Sequence, residues 1–136
     1  MEFYELMQLR NNSNSYAEHL GIRLTDIGAG RARAEKRVED TDLNPLDQPH
    51  GGVYFSLADT AAGAAAASRG ASAVTIGADF HFLRNAKAGD TLTAEAQELV
   101  QSQIGLVYDV QVTDQTGALL AKGVFHMQRI QGGRTT

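Results

Sequence analysis

The 136-residue sequence contains no cysteine, which excludes disulfides, thiolate metal sites and a cysteine nucleophile together. That absence suits a cytoplasmic protein. No segment approaches the roughly 20 apolar residues of a membrane helix. The opening MEFYELMQLR carries two glutamates and lacks the apolar run of a secretion signal. Basic blocks are scarce as well: net charge is −4, and the nearest thing to a basic patch, RARAEKR at 31–37, is interrupted by Glu35. That segment reads as a solvated strand face, so neither nucleic acid nor membrane is an expected partner. His19, His81 and His126 show no ligand spacing with one another or with acidic pairs, so no metal is expected. Ser56 lies near His50, but no nucleophile elbow accompanies them, which argues against a serine triad.

What is present reads as one globular domain spanning residues 1–136, long enough to bury about 65–70% of its unfolded surface. A loose helix is expected over 2–19, weakened in its middle by Asn11, Asn12, Ser13 and Asn14. A bent strand or hairpin follows from Ile22 to Glu39, with Gly28 and Gly30 marking a turn or bulge. DTDLNPLDQP at 40–49 is a loop, and a long apolar helix runs from about Gly51 to Ser68, with Gly70 placed to end it. The period then changes to two. Val74, Ile76, Ala78, Phe80 and Phe82 form one stripe. Three more stripes run along Leu92–Ala96, Ile104–Val112 and Leu119–Met127. One apolar helix against an antiparallel sheet is an α+β layer architecture.

The stretch HGGVYFSLADTAAGAAAA, residues 50–67, carries the chemistry. The first N–H groups of a helix lack internal partners and sit at its positive end, so Gly51 and Gly52 can seat an oxyanion or a polarised carbonyl. Asp59 interrupts a run of small apolar residues, where an uncompensated carboxylate is expensive. A carboxylate kept there is a candidate base or nucleophile. Eight residues separate Gly51 from Asp59, about 12 Å along one helix, so one chain cannot aim both at the same atom. Two helices packed antiparallel across a twofold axis can, which makes the active form at least a dimer if the two residues cooperate.

NPLDQPHGGVYFSLADTA resembles the signature of acyl-CoA thioesterases of the hotdog fold, in particular the phenylacetate-degradation group. The resemblance continues through FHFLRNAKAGDTLTAEA at 80–96 and covers roughly residues 20–130. It implies a long central helix wrapped by a curved antiparallel sheet, paired into dimers and often tetramers, acting without a cofactor. It also implies roles: Gly51 polarises the thioester carbonyl, Asp59 of the partner chain activates water or attacks, and Asn44 and His50 shape the site. Gly52, Ser68 and Arg84 are further candidates for substrate binding, Ser68 at the acyl pocket and Arg84 at a coenzyme A phosphate. Two positions depart from the family pattern that the resemblance implies: Asp47 where glycine or another uncharged residue is common, and Asn85 where proline is usual; Gly63, one turn after Asp59, offers no hydroxyl to help hold a water. Other expectations compatible with this family are a hydratase or dehydratase and an acyl-CoA sensor without turnover. The acyl preference is not legible, an aromatic group being favoured by analogy alone.

Overall fold

A computed structural model describes residues 1–130. Two short helices, α1 (Phe3–Ser13) and α2 (Ser15–Leu20), lead into a hairpin of β1 (Arg23–Gly28) and β2 (Arg31–Arg37). After the loop comes α3 (Gly51–Ala67), then β3 (Ala73–Phe82), β4 (Thr91–Gln101), β5 (Gly105–Thr113) and β6 (Leu119–Arg129). The six strands form one antiparallel sheet in the order β1-β2-β4-β5-β6-β3. The chain leaves β2, crosses the sheet as α3, and re-enters at the opposite edge as β3.

The alanines of α3 explain how the sheet wraps it. Ala58, Ala61, Ala62, Ala64 and Ala65 are fully buried, as is Leu57. Side chains this small let strands approach the helix backbone closely, and the inward stripes of β4 and β5 complete the layer: Leu92, Ala94 and Ala96, then Leu106, Tyr108, Val110 and Val112. Toward the start of α3 the filling becomes aromatic. Phe55 packs tilted and Phe80 edge-on against Phe125, at 5.2 and 5.6 Å, and Phe80 packs edge-on against Phe82 at 5.3 Å. Gly123 on β6 makes this possible, because a Cβ there would stand 2.5 Å from the Asp79 carbonyl oxygen and 2.6 Å from the Phe80 ring.

Three sequence-based expectations are corrected. The single helix over 2–19 is two, divided at Asn14, whose side chain accepts from the Ala17 N–H at 3.0 Å and caps the second. The asparagine-rich middle is not merely weak helix: Asn11 is buried, accepts from the Leu24 N–H at 2.8 Å and donates to the Leu24 carbonyl at 3.0 Å, pinning α1 to the bulge of β1. The stripe from Val74 to Phe82 is also broken. A bulge between Thr75 and Gly77 sets Thr75 opposite buried Met127 and Val74 opposite exposed Gln128, so Val74 and Ile76 lie outside the face that Phe80 occupies.

The third concerns RARAEKR. Arg31, Arg33 and Arg37 do point outward, pairing with Asp26, Glu95 and Glu39. Lys36, however, shares the inner side of β2 with Ala32 and Ala34, only 4% exposed, and meets Asp42 at 2.9 Å. Its ammonium also donates to the Leu20 carbonyl, and the Asp42 carboxylate accepts from the Glu39 N–H at 2.8 Å. Removing one member of such a pair strands the other charge. Lys36→Met is therefore expected to cost about 3–5 kcal/mol in urea unfolding, with most of the loss recovered when Asp42→Leu is added. A single-variant loss below about 1 kcal/mol contradicts the assignment.

Tyr108 makes the opposite case. It is fully buried, and its hydroxyl is the one buried side-chain polar atom without a hydrogen-bond partner among the described residues. Burial, then the nearby Glu98 charge, push the phenol up to about 12. An unpaired buried hydroxyl destabilises, so Tyr108→Phe is expected to leave stability unchanged or raise it, by up to about 1–3 kcal/mol. A drop in melting temperature shows that the hydroxyl is satisfied. No helix among the described residues is long and apolar enough to cross a membrane.

Candidate active site along the buried helix

The loop before α3 is folded by its own polar groups. Asn44 Oδ1 accepts from the Leu46 N–H at 2.9 Å and the Gln48 N–H at 3.1 Å, and Leu43 pairs with Pro49 across the base. Asp47 at the tip has φ 60°. That left-handed conformation is the one glycine adopts without strain, the residue that the resemblance leads one to expect at this position. The Asp42 carbonyl then accepts from the His50 N–H at 2.9 Å, so the buried Lys36–Asp42 pair fixes the point where the helix begins.

His50 is the N-cap. Its Nδ1 accepts from the Gly52 N–H at 2.8 Å and its carbonyl from the Val53 N–H at 2.9 Å. A ring nitrogen that accepts carries no proton, so the imidazole in this arrangement holds its proton on Nε2. Gly52 is thereby committed to the cap. The Gly51 N–H has no acceptor among the described residues and stands at the positive end of a 17-residue helix. A Cβ on Gly51 would touch the Phe82 ring at 3.4 Å, so this donor lies beside an aromatic surface.

Two turns on, Asp59 is half-buried and opens into a groove of about 580 Å³. Thr75 donates its hydroxyl to Asp59 Oδ1 at 2.6 Å, while Oδ2 has no protein donor among the described residues. The bulge in β3 is what turns Thr75 toward the helix; a regular strand would present Val74 there instead. One wall of the groove is tied across elements by Tyr16 Oη and Ser56 Oγ, 2.9 Å apart, and Thr60 donates back to the Ser56 carbonyl at 2.7 Å. Arithmetic on the continuous α3 keeps Gly51 and Asp59 about 12 Å apart along one chain, too far to reach a single atom together.

The remaining candidates fall elsewhere. Ser68, just past the helix, donates to the Ala65 carbonyl at 2.6 Å and accepts from the Gly30 N–H at 2.8 Å. Its hydroxyl thus joins the β1–β2 turn to the far end of α3 and is not among the groups lining the groove beside Asp59. Arg84 is exposed beyond the end of β3, and no hydrogen bond links it to Gly51 or Asp59. Its charge is a minor contributor to holding the Asp114 carboxyl below the ordinary range, behind the Thr116 hydroxyl and the backbone donors. Sequence reasoning missed Thr75, Tyr16 and Arg10, which line the groove with Asp59.

The family model of the thioesterase superfamily matches residues 49–121, a span that includes Gly51, Asp59 and Thr75. The chain is 40% identical over 103 residues to the acyl-coenzyme A thioesterase PaaI of Escherichia coli K12, covering 76% of this chain and 74% of that protein. The solved structure of E. coli PaaI superposes with a TM-score of 0.91 at 35% identity, over 96% of this chain and 94% of that one. A hypothetical thioesterase of Streptococcus pneumoniae TIGR4, solved with coenzyme A, matches with a TM-score of 0.78 at 26% identity, over 83% of this chain and 88% of that one. Two other structures of that protein, with TM-scores of 0.76 and 0.77, carry alanine in place of a threonine or an aspartate. The two replaced positions are sixteen residues apart in its numbering, the separation of Asp59 and Thr75 here. The fold is the hotdog fold, and the chain belongs to the thioesterase superfamily.

Proposed function

We propose that this protein is an acyl-CoA thioesterase whose active site joins Gly51 of one copy to Asp59 of another. The thioester carbonyl oxygen sits against the Gly51 N–H, where the helix end and the bare amide stabilise the negative charge that develops on attack. Asp59 takes a proton from water as the water oxygen bonds to the carbonyl carbon, or attacks that carbon itself. The carbon–sulfur bond then breaks and the sulfur takes up a proton, releasing coenzyme A; attack by water gives the free acid at once, whereas direct attack leaves an acyl–Asp59 anhydride that a water molecule hydrolyses to free acid and Asp59 carboxylate. Thr75 holds one carboxylate oxygen, so the other, Oδ2, points the reactive lone pair.

The observation that carries this reading is the pairing of a donor without an acceptor at the start of α3 with a hydroxyl-held carboxylate opening into a groove on the same helix. Pairing of two copies is supported by β3, an edge strand ten residues long whose Val74, Ile76 and Phe82 are exposed. A second β3 added antiparallel would continue the sheet and bring the two helices side by side. The relatives named acyl-coenzyme A thioesterase and the neighbour solved with coenzyme A support the substrate class.

The test uses the missing cysteines. Purified protein is mixed with short, medium, long and aromatic acyl-CoAs, and released thiol is followed with a chromogenic disulfide reagent. With no protein thiol, every signal is coenzyme A. Release well above the spontaneous rate is expected for at least one acyl class. Tight binding of intact thioesters without release contradicts hydrolysis and makes the protein an acyl-CoA sensor.

A further inference from the structure

We infer that Arg10 recognises a carboxylate at the far end of the acyl group, so that the preferred substrates are thioesters of short dicarboxylic acids. This rests on the thioesterase reading above. The guanidinium lines the same groove as Asp59, beside Tyr16 and Thr60. It lies against Gly63: a Cβ at that position would stand 3.3 Å from one of its terminal nitrogens. The missing side chain of Gly63, four residues after Asp59, thus leaves space for the cation about 6 Å along the helix from the carboxylate.

Within one chain the charge is unmet. Among the described residues Arg10 makes no salt bridge and its guanidinium no hydrogen bond, although six other lysines and arginines are paired with carboxylates. The side chain is half-buried, and burial lowers its pKa from the ordinary arginine value, as expected for a cation stripped of water with no anion supplied in return. Nor is its position loose. Asn11, the next residue, is clamped to the Leu24 backbone by two hydrogen bonds, which fixes the last turn of α1 over the groove.

A planar guanidinium with five donors matches a carboxylate better than any neutral acyl end. An acyl chain with its carbonyl at Asp59 and its other end at Gly63 delivers a terminal carboxylate to Arg10, one turn past the catalytic charge. A methyl terminus at the same place leaves the donors unpaired and removes water from them. Discrimination therefore comes from the end of the acyl chain and leaves the chemistry at the thioester untouched.

The experiment compares kcat/KM for glutaryl-CoA with pentanoyl-CoA, and adipyl-CoA with hexanoyl-CoA, each pair differing only at the acyl terminus. Wild-type protein, Arg10→Gln and Arg10→Lys are measured by thiol release. The wild-type ratio is expected to favour the carboxylate by about tenfold to a hundredfold. Arg10→Gln should bring it to one or below, and Arg10→Lys should keep part of it. Because each ratio is taken within one preparation, loss of folded protein cancels. A wild-type ratio at or below one, or a ratio that Arg10→Gln does not move, overturns the inference while leaving the thioesterase intact. No thiol from any acyl-CoA, neutral chains included, overturns the thioesterase reading and this inference with it.

Discussion

Replacing Asp59 with asparagine is expected to lower kcat by at least about 100-fold while the protein folds as before. Asparagine has the shape of aspartate, and its amide oxygen accepts the Thr75 hydroxyl bond that now holds Asp59 Oδ1 at 2.6 Å. What it lacks is the negative charge on Oδ2, the oxygen free to take a proton from water or to attack the carbonyl carbon. Asparagine is about as poor a helix former as aspartate, so α3 is left as it was, and the change removes only a half-buried charge. Melting temperature should hold or rise, and turnover of the best acyl-CoA should collapse with little change in substrate binding. Turnover within a few-fold of wild type would remove Asp59 from the chemistry.

Gly51→Pro tests the other half-site with equal force. Proline at the first helical position is well tolerated, since the N–H it lacks makes no intrahelical bond. The residue before a proline must be extended, and His50 already is, at φ −58° and ψ 141°. The substitution thus deletes the one N–H assigned to the oxyanion while the helix start keeps its geometry. The proline Cβ comes no nearer than 3.4 Å to the edge of the Phe82 ring. Loss of a single oxyanion donor costs on the order of 100- to 1,000-fold in kcat. Full activity in a folded Gly51→Pro protein would mean that the carbonyl is polarised elsewhere.

Much of this was legible in the chain because the relevant signals are local. The helix from Gly51, the donors at its start and the carboxylate inside an alanine run all follow from composition and spacing. The distance between Gly51 and Asp59 follows from helical rise alone, as does the need for a second copy if they act together. Thr75 was hidden because strict alternation from Val74 to Phe82 places it on the wrong face; the bulge at Ile76 answers to packing against Met127, which no local pattern encodes. Lys36 had a readable signal, since it shares the period-two side of Ala32 and Ala34, but the charge of RARAEKR as a whole outweighed it. Arg10 and Asn11 reach the groove and the β1 bulge only through tertiary placement of α1. For Ser68 the spacing to Asp59 allows an acyl-pocket role and its place at the end of α3 a capping one; the structure shows the latter, its hydroxyl being used by the Ala65 carbonyl and the Gly30 N–H.

The most direct test of the shared site is complementation. Asp59→Asn and Gly51→Pro proteins, each inactive alone, are unfolded together, refolded and assayed for thiol release. In a mixed dimer one site pairs the intact Gly51 of the first chain with the intact Asp59 of the second, and the other site holds both lesions. Random pairing then restores about a quarter of wild-type sites, and activity near that level is the expected result. Mixed dimers that form, as judged by differently tagged chains co-purifying, but stay as inactive as their parents would contradict a site built from two copies.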